Sequence, residues 1–224
     1  MSVSARTRAK ACSFAVAALL AGATLLSVAA PLQAQRNAAP PTIDEVLEAA
    51  AMARARGAEG APVVVFEIAD FQCPYCARFA EDVFPHIDSA YVRTGLVQWV
   101  YVNLPLPAHR EAWGAAEAAL CAGAVSGRFW PMHDLLYARQ DEWSGAVDAP
   151  RRFEAYAREA GVDTEAYDLC VADDRVAPLI VQDVLGASAA QIAGTPTFIV
   201  NRESKVVGLR TFEEWREILD AAAQ

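Results

Sequence analysis

A continuous apolar run ends directly before two cysteines, and this junction restricts the fold more than any other feature of the sequence. Residues 62–71 read PVVVFEIADF, and Cys73 and Cys76 follow in CPYC. A run so rich in β-branched and aromatic side chains is typical of a strand covered on both faces, as in a parallel or mixed sheet. Pro74 suits the first turn of a helix, where no backbone N–H is needed. The sequence therefore predicts a strand that leads straight into a helix, with both thiols at the junction.

The other elements indicate an α/β chain with a helical segment in its middle. A helix is predicted for residues 42–57, where Thr42 and Glu45 form a capping box. The helix that begins at Pro74 is expected to be kinked or interrupted at Pro85, which cannot donate a helical hydrogen bond. Further strands are predicted at residues 95–105, 195–201 and 205–210, a closing helix at residues 211–223, and four or five short helices within residues 107–191.

These elements predict one sheet assembled from two distant parts of the chain. A strand–helix–strand unit cannot cover its own sheet, so residues 62–105 are expected to pair with residues 193–224. Residues 106–192 have little strand character and are interpreted as a helical insertion packed over one end. Residues 35–61 are interpreted as a tether and a helix that precede the sheet.

Residues 1–34 have the pattern of an export signal. Three basic residues precede a long uncharged run, and PLQA follows as a small-residue cut site. The alternative is an uncleaved membrane anchor, because about twenty apolar residues can span a bilayer. Both readings place the remainder outside the cytoplasm, in the periplasm or cell envelope, either secreted or anchored. Four of the five cysteines follow this segment, in a compartment where disulfides persist.

Charge and composition limit the function classes. With 28 acidic and 19 basic residues the net charge is −9, which argues against a nucleic-acid partner. A hydrophobic fraction of 54% is sufficient for a real core. We find no flavin, nicotinamide or phosphate-binding fingerprint, so no cofactor is expected apart from a redox-active Cys73–Cys76 disulfide. We expect a monomer.

The two thiols admit three readings: a redox pair, half of a metal site, or a structural disulfide. Cys73 lies at the expected helix start, where unpaired N–H groups and the helix dipole favour a thiolate. It is expected to be the exposed, attacking sulfur and Cys76 the more buried partner, while the Tyr75 side chain points to solvent. A zinc or iron–sulfur site needs two further ligands, and His86, His109 and His133 are not at ligand spacing. A small ring at a helix start is a strained place for a purely structural disulfide.

Two further features, an acid in the first strand and a proline before a later one, are candidates for a role beside the thiols. Glu67 lies inside an apolar strand, where burial favours the protonated form, and such a group can pass protons to Cys76. The alternative is a glutamate that faces water, and Asp70 is interpreted as a cap or loop acid. Thr195–Pro196 opens a strand, and an ordinary trans proline is the simpler reading. A cis bond here would present the Thr195 backbone to an extended substrate.

Taken together, FEIADFQCPYC, GTPTF and the helical block between them resemble the thioredoxin superfamily, and within it the DsbA-like exported disulfide oxidoreductases. The resemblance covers roughly residues 60–220. It implies a thioredoxin-like fold with an inserted all-helical domain. It also implies that Cys73 is the nucleophile, that Cys76 is its partner, that Pro196 is a cis proline beside them, and that Glu67 is the acid beneath the active site.

Cys121 and Cys170 both lie in the helical block, and some members of the resembled family carry a second pair there. Export favours a bridge, and the alternative is two buried free thiols. The aromatic residues of the block are interpreted as core, with a hydrophobic groove for unfolded substrate as the alternative: Trp113, Phe129, Trp130, Tyr137 and Tyr156.

The resemblance and the setting suggest a thiol:disulfide oxidase for exported cysteine-containing polypeptides. The same exchange chemistry runs in either direction. A disulfide reductase or isomerase fed by a membrane electron donor is therefore an alternative, as is a non-catalytic substrate-holding module. In each enzymatic case a membrane or soluble redox partner is required.

Overall fold

Five strands form one mixed sheet in the computed structural model, which describes residues 41–224. They are β1 (Ala55–Arg56), β2 (Val63–Ala69), β3 (Val97–Asn103), β4 (Thr197–Val200) and β5 (Ser204–Val207). Their order across the sheet is β1-β3-β2-β4-β5. β2 and β3 are parallel, and the other neighbours are antiparallel. The predicted pairing between the two distant parts of the chain is confirmed, because β4 lies directly beside β2.

Ten α-helical segments accompany the sheet within the described residues. They are α1 (Ile43–Ala53), α2 (Pro74–Arg78), α3 (Phe84–Ile87), α4 (Ala112–Ser126), α5 (Phe129–Ala138), α6 (Gln140–Trp143), α7 (Ala149–Glu159), α8 (Thr164–Ala172), α9 (Ala177–Ala189) and α10 (Phe212–Ala222). The first and last helices of the described residues begin with a capping box, α1 at Thr42 as predicted and α10 at Thr211. The signal peptide or anchor expected at residues 1–34 lies outside the described residues. No helix in residues 41–224 is long and apolar enough to cross a membrane.

The sheet has an aromatic core on the side that faces α3 and α10. Trp99 of β3, Phe198 of β4 and Trp215 of α10 are completely buried there. Phe79 joins them, with its ring centroid 4.7 Å from that of Phe198 and 5.8 Å from that of Trp99. Burial of each such side chain contributes about 1.5–3 kcal/mol, so this cluster fixes the helix that follows the cysteines against the sheet.

The helical segments share a second core that includes the two cysteines. It is built around α4, whose residues are mainly alanine and which is buried along most of its length. Small side chains let other helices approach closely, and a Cβ on Gly123 would lie only 2.9 Å from Ala53 of α1. Val46 and Ala50 of α1 are buried in the same core. Helix α1 is therefore part of the helical layer.

The predicted helix at residues 42–57 is too long. It ends at Ala53, and Ala55–Arg56 pair with β3 as a short antiparallel strand. Gly57 follows with φ +99°, and a Cβ there would lie 2.4 Å from the carbonyl oxygen of Val97. Pairing with β3 overrides the helical propensity of this stretch, and glycine allows the close approach.

Two π-helical turns, Phe79–Val83 and Asp88–Val92, interrupt the helix after the cysteines. In the first, the Phe84 N–H donates to the carbonyl of Phe79, five residues earlier. Pro85 lies next in the chain and has no N–H to donate, so a regular α-helix cannot continue through it. The predicted interruption at Pro85 thus takes the form of one extra residue in the preceding turn.

The aromatic residues of the helical block are mostly core, as predicted. Phe129, Tyr137 and Tyr156 are buried, and Trp130 is half-buried. Trp113 is an exception, because 38% of its surface is exposed. It follows Ala112 on a helix whose buried side is filled by alanines, so its side chain faces outward.

Candidate active site

The two cysteines lie where β2 hands over to α2. Cys73 is the N-cap of the helix and has extended backbone angles, φ −76° and ψ 122°. Its N–H donates to the carbonyl of Asp70 at 3.0 Å, and its own carbonyl accepts from Cys76 and Ala77, both at 3.1 Å. Pro74 occupies the first turn, where its missing N–H has no consequence. The local sequence therefore places Cys73 at the positive end of the helix, with Cys76 within one turn.

Both sulfurs belong to buried residues, and this corrects one expectation. Cys76 is completely buried, as predicted for the inner partner, but Cys73 is only 4% exposed. The segment before β4 lies over it, because the Thr195 carbonyl oxygen is 3.5 Å from Cys73 Sγ. Both residues are free thiols, so the structure corresponds to the reduced protein. Tyr75, between them, is 56% exposed and faces solvent.

The segment over Cys73 contains Thr195 and Pro196, joined by a cis peptide bond. Pro196 is buried and directly precedes β4, which pairs with β2. The fold thus brings together four of the residues singled out from the sequence, Cys73, Cys76, Thr195 and Pro196, although two of them lie more than a hundred residues further along the chain.

The two thiols have opposite pKa shifts. The pKa of Cys73 is lowered to about 5, first because Cys76 hydrogen-bonds to its sulfur; burial opposes the shift, and the Thr195 side chain and the backbone amides of Cys76 and Tyr75 add to it. The neutral thiol has the Thr195 carbonyl as its acceptor instead. The pKa of Cys76 is raised well above its ordinary value, first by burial and then by the neighbouring Cys73 sulfur. At neutral pH one sulfur is therefore a thiolate and the other a thiol.

Glu67 is buried below this pair, with 1% of its surface exposed. Its Oε2 accepts a hydrogen bond of 2.7 Å from the Trp99 indole, whereas Oε1 has no partner among the described residues. Burial raises its pKa to about 8, and Trp99 offsets only part of that shift. Its charge also contributes to the raised pKa of Cys76. Of the two readings of the sequence, the structure shows the buried acid rather than the glutamate in contact with water.

Asp70 organises the loop that carries Cys73. Its Oδ1 accepts from the Gln72 N–H at 2.7 Å, and its Oδ2 accepts from the Leu106 N–H at 2.7 Å. His109 Nδ1 lies 2.7 Å from the same Oδ2. This agrees with the interpretation of Asp70 as a loop acid, and it adds a link from β2 to the segment after β3.

Sequence reasoning missed two glutamines beside the thiols. Gln140 of α6 donates to the carbonyl of Phe71 at 2.6 Å and to that of Cys73 at 3.2 Å. Gln72 donates to Glu111 at 2.7 Å and accepts from its backbone N–H at 2.9 Å. Both contacts join residues far apart in the chain, so no local pattern indicates them. They attach the helical insertion directly to the cysteine loop.

Cys121 and Cys170 form a disulfide, with S–S 2.03 Å, between α4 and α8. The disulfide lies in the helical core. Among the described residues, it forms no part of the Cys73–Cys76 site. Within residues 41–224, no group of three or more His, Cys, Asp or Glu side chains is arranged to hold a metal ion.

Comparisons with known proteins agree with this geometry. A family model described as Thioredoxin matches residues 49–221. An Na(+)/H(+) antiporter NhaA 3 of Salinispora tropica is 44% identical over 147 residues, which is 65% of this chain and 21% of that protein. A putative protein-disulfide oxidoreductase of Rickettsia bellii is 27% identical over 146 residues, 65% of this chain and 55% of that protein. The chain thus spans about a fifth of the first relative and about half of the second.

A solved structure shares the fold. The crystal structure of alpha-DsbA1 from Wolbachia pipientis superimposes with a TM-score of 0.67 at 21% identity, covering 76% of this chain and 90% of that one. At that identity the likeness concerns the fold. The resemblance to the thioredoxin superfamily inferred from FEIADFQCPYC and GTPTF is confirmed, and so is the α/β fold it implied, which this chain shares with a DsbA protein.

Proposed function

Because this chain belongs to the thioredoxin family, we propose that it is a thiol:disulfide oxidoreductase acting through Cys73 and Cys76. We further propose that it runs as an oxidase on exported cysteine-containing polypeptides in the periplasm or cell envelope, and that a membrane or soluble redox partner reoxidises it. The name of the Rickettsia bellii relative supports the reaction class. The observation that carries the proposal is the pair of free thiols at the start of α2, where the Thr195 carbonyl oxygen lies 3.5 Å from Cys73 Sγ; the opposite pKa shifts of the two sulfurs support it.

In the first step a substrate thiolate attacks Cys73 Sγ of the Cys73–Cys76 disulfide. The S–S bond breaks, its electron pair goes to Cys76, and a mixed disulfide forms at Cys73. In the second step the substrate's second thiolate attacks the substrate sulfur that is bonded to Cys73. A disulfide forms within the substrate, and Cys73 leaves as a thiolate. A leaving thiol of low pKa departs faster, so a Cys73 pKa of about 5 favours release of the oxidised substrate.

Cys76 needs a proton when it leaves, because its thiolate is strongly disfavoured by burial. Glu67 is protonated at neutral pH, since its pKa is about 8, and its ionised form raises the pKa of Cys76, so the two groups influence each other's protonation. We assign Glu67 the role of proton donor to Cys76 in the oxidative direction. It regains that proton when the pair is reoxidised.

The direction of exchange, oxidation or reduction of the substrate, depends on whether the fold favours the reduced or the oxidised form of the cysteine pair. At pH 7 a Cys73 pKa of about 5 stabilises the reduced form by roughly 3 kcal/mol, at about 1.4 kcal/mol per unit. For a two-electron couple this corresponds to roughly 60 mV toward stronger oxidation. The lowered pKa of Cys73 also stabilises the folded, reduced protein against unfolding. This stabilisation is fully present above about pH 9, the ordinary pKa of the thiol, and it is lost as the pH falls through about 5.

A redox equilibrium with glutathione tests the direction. We expect a potential above about −180 mV, within the range of oxidising members of the superfamily. A potential near about −270 mV, that of a cytoplasmic reductant, would contradict the oxidase and favour the reductase. The reduced protein should also show an ultraviolet thiolate absorbance that titrates with a midpoint near pH 5.

Variants of the two cysteines test the reaction class. Cys73→Ala should abolish oxidation of a reduced substrate, whereas Cys76→Ala should accumulate a mixed disulfide at Cys73. The Tyr75→Phe variant serves as a control, because it changes an exposed side chain and keeps both thiols. If Cys73→Ala retained only the ability to hold unfolded substrate, and the unchanged protein did no more, a non-catalytic holding module would replace the enzyme.

A further inference from the structure

A cavity of about 290 Å³ lies between α4, α7 and α8, away from the two reactive thiols. Its walls are largely apolar and include Gly114, Pro150, Phe153 and Val171. Three carboxylates line it as well, Glu117, Glu154 and Asp168, and none of its lining residues is a lysine or arginine. An apolar passage with acids and no internal cation has the chemistry to hold a long aliphatic side chain that ends in a positive charge.

Glu117 distinguishes this cavity from a surface cluster of acids, because its carboxylate is buried. It projects from α4, is only 7% exposed, and its Oε1 has no hydrogen-bond partner among the described residues. A buried polar atom without a partner is costly, so it favours a donor that enters the cavity. Burial, together with the nearby Asp174 carboxylate, raises the pKa of Glu117 to about 7, which is consistent with an acid that lacks a cation.

The Tyr167 side chain lies close to the same three carboxylates. It is buried in the cavity wall, and its pKa is raised by burial and by the charges of Glu154, Glu117 and Asp168. Glu154 and Asp168 are exposed at the rim, where they can attract a cation, whereas Glu117 lies inside. The arrangement therefore places one carboxylate at depth and two at the entrance.

A second cavity, of about 350 Å³, continues this one toward the active site. The two share Gly114, Pro150 and Phe153. The second also includes Glu111, whose carboxylate accepts from Gln72, the residue next to Cys73. Glu117 lies six positions further along the helix than Glu111, about 9 Å along the axis at 1.5 Å per residue. Arg110 lines only the part nearer to the active site, so a ligand cation belongs at the Glu117 end.

We propose that the two cavities together form a trough that binds the substrate polypeptide. It receives a lysine or arginine side chain at Glu117 while a substrate cysteine reacts at Cys73. The proposal rests on the function proposed above and names its substrate class: chains with a basic residue near the reactive cysteine. An extended chain covers about 3.3 Å per residue, so the roughly 9 Å from Glu111 to Glu117 alone spans about three residues, and the basic residue lies at least that far along the substrate from its reactive cysteine.

Short reduced peptides test the proposal. Each carries one cysteine and either lysine or norleucine four positions before or after it, so that the pair differs only in charge. With the oxidised protein we expect the lysine peptide to form the mixed disulfide about ten times faster than its norleucine match, in at least one of the two positions. Glu117→Gln should abolish this difference.

Glu217→Gln is the matched control, because it removes the same charge from an exposed position on α10. Equal loss of preference in both variants would show a diffuse charge effect and overturn the site, as would equal rates for the two peptides on the unchanged protein. Serine versions of the peptides, titrated by calorimetry, separate the two proposals. Binding of the lysine form alone, without any exchange, would uphold the trough and reject the oxidoreductase.

Discussion

Glu67 is the single residue whose chemistry depends most on burial. Its pKa of about 8 lies far above the ordinary 4.5, and a raised carboxyl pKa contributes stability that is fully present below 4.5 and lost as the pH rises through 8. We expect the unchanged protein to lose roughly 4 kcal/mol between pH 4.5 and pH 9 from this group, at about 1.4 kcal/mol per unit. Glu67→Gln should remove that loss, as measured by urea unfolding at pH 5, 7 and 9.

Comparison of the variant with the unchanged protein at each pH cancels the titration of Cys73, which acts in the opposite direction. Glu81→Gln, at an exposed position in the first π turn, should leave the pH profile as it is. Parallel profiles for Glu67→Gln and the unchanged protein would mean that Glu67 titrates normally.

At this scale the sequence predicted the residues that carry their own local signal. Cys73, Cys76 and Glu67 stand out because a thiol pair at a helix start and an acid in an apolar strand are locally conspicuous. Gln140 has no such signal, since only the folded chain brings it to the carbonyls of Phe71 and Cys73. The burial of Cys73 was misjudged for the same reason: Thr195, which covers it, comes from a distant part of the chain.

Among the elements, α4 and α8 are joined by the Cys121–Cys170 disulfide. The bridge closes a loop with a sequence separation of 49 residues, and the chain-entropy model makes such a loop worth roughly 4 kcal/mol. A Cys121→Ala/Cys170→Ala double variant should lose about that free energy of unfolding in urea. It should keep its exchange activity wherever it remains folded, because neither cysteine belongs to the site.

Thiol counting checks the bridge independently. With the active site oxidised, denatured and unreduced protein should show no titratable thiol beyond any contributed by Cys12, which lies outside the described residues. Two further thiols per chain would contradict the disulfide. An unchanged free energy of unfolding in the double variant would contradict its stabilising role.

The elements themselves were predictable where periodicity and propensity agree with the fold. The strands at Val63–Ala69 and Val97–Asn103 follow this rule, since both are apolar and centrally placed. The short strand Ala55–Arg56 does not, because its residues favour a helix and only the edge of β3 makes them extended. Trp113 shows the converse error, in which an aromatic residue in an apolar helix is assumed to face the core.

Over the whole molecule, one buried carboxylate links α1, α9 and the sheet. Asp183 of α9 accepts from the Arg54 guanidinium at the end of α1, and from both the backbone N–H and the side chain of Asn103 on β3. Arg54 and Asp183 are both largely buried. Breaking such a pair leaves an uncompensated charge, which costs about 3–5 kcal/mol.

Asp183→Asn should therefore lower the free energy of unfolding by roughly 3 kcal/mol in a urea titration. Asp173→Asn is the control, since that residue is exposed and forms no side-chain hydrogen bond that the structure records. Equal stability of the two variants would show that the link contributes little.

The whole-molecule arrangement was predictable in outline because a strand–helix–strand unit demands a partner, and the sequence predicts further strands at residues 195–201 and 205–210. The link through Asp183 was not predictable, because an aspartate in a helix gives no sign that it faces a buried arginine 129 positions earlier. Long-range polar contacts of this kind depend on how the helical layer is seated.

The π turn at Phe79–Val83 also bears on how this chain is compared with others. In a regular α-helix, residues five apart point about 140° away from each other around the axis. Here Phe79 and Phe84 both reach the aromatic core, with ring centroids 6.2 Å apart. A related sequence without the additional residue must therefore be aligned with a gap between positions 79 and 84. A helical repeat counted straight through this segment falls one residue out of phase on its far side.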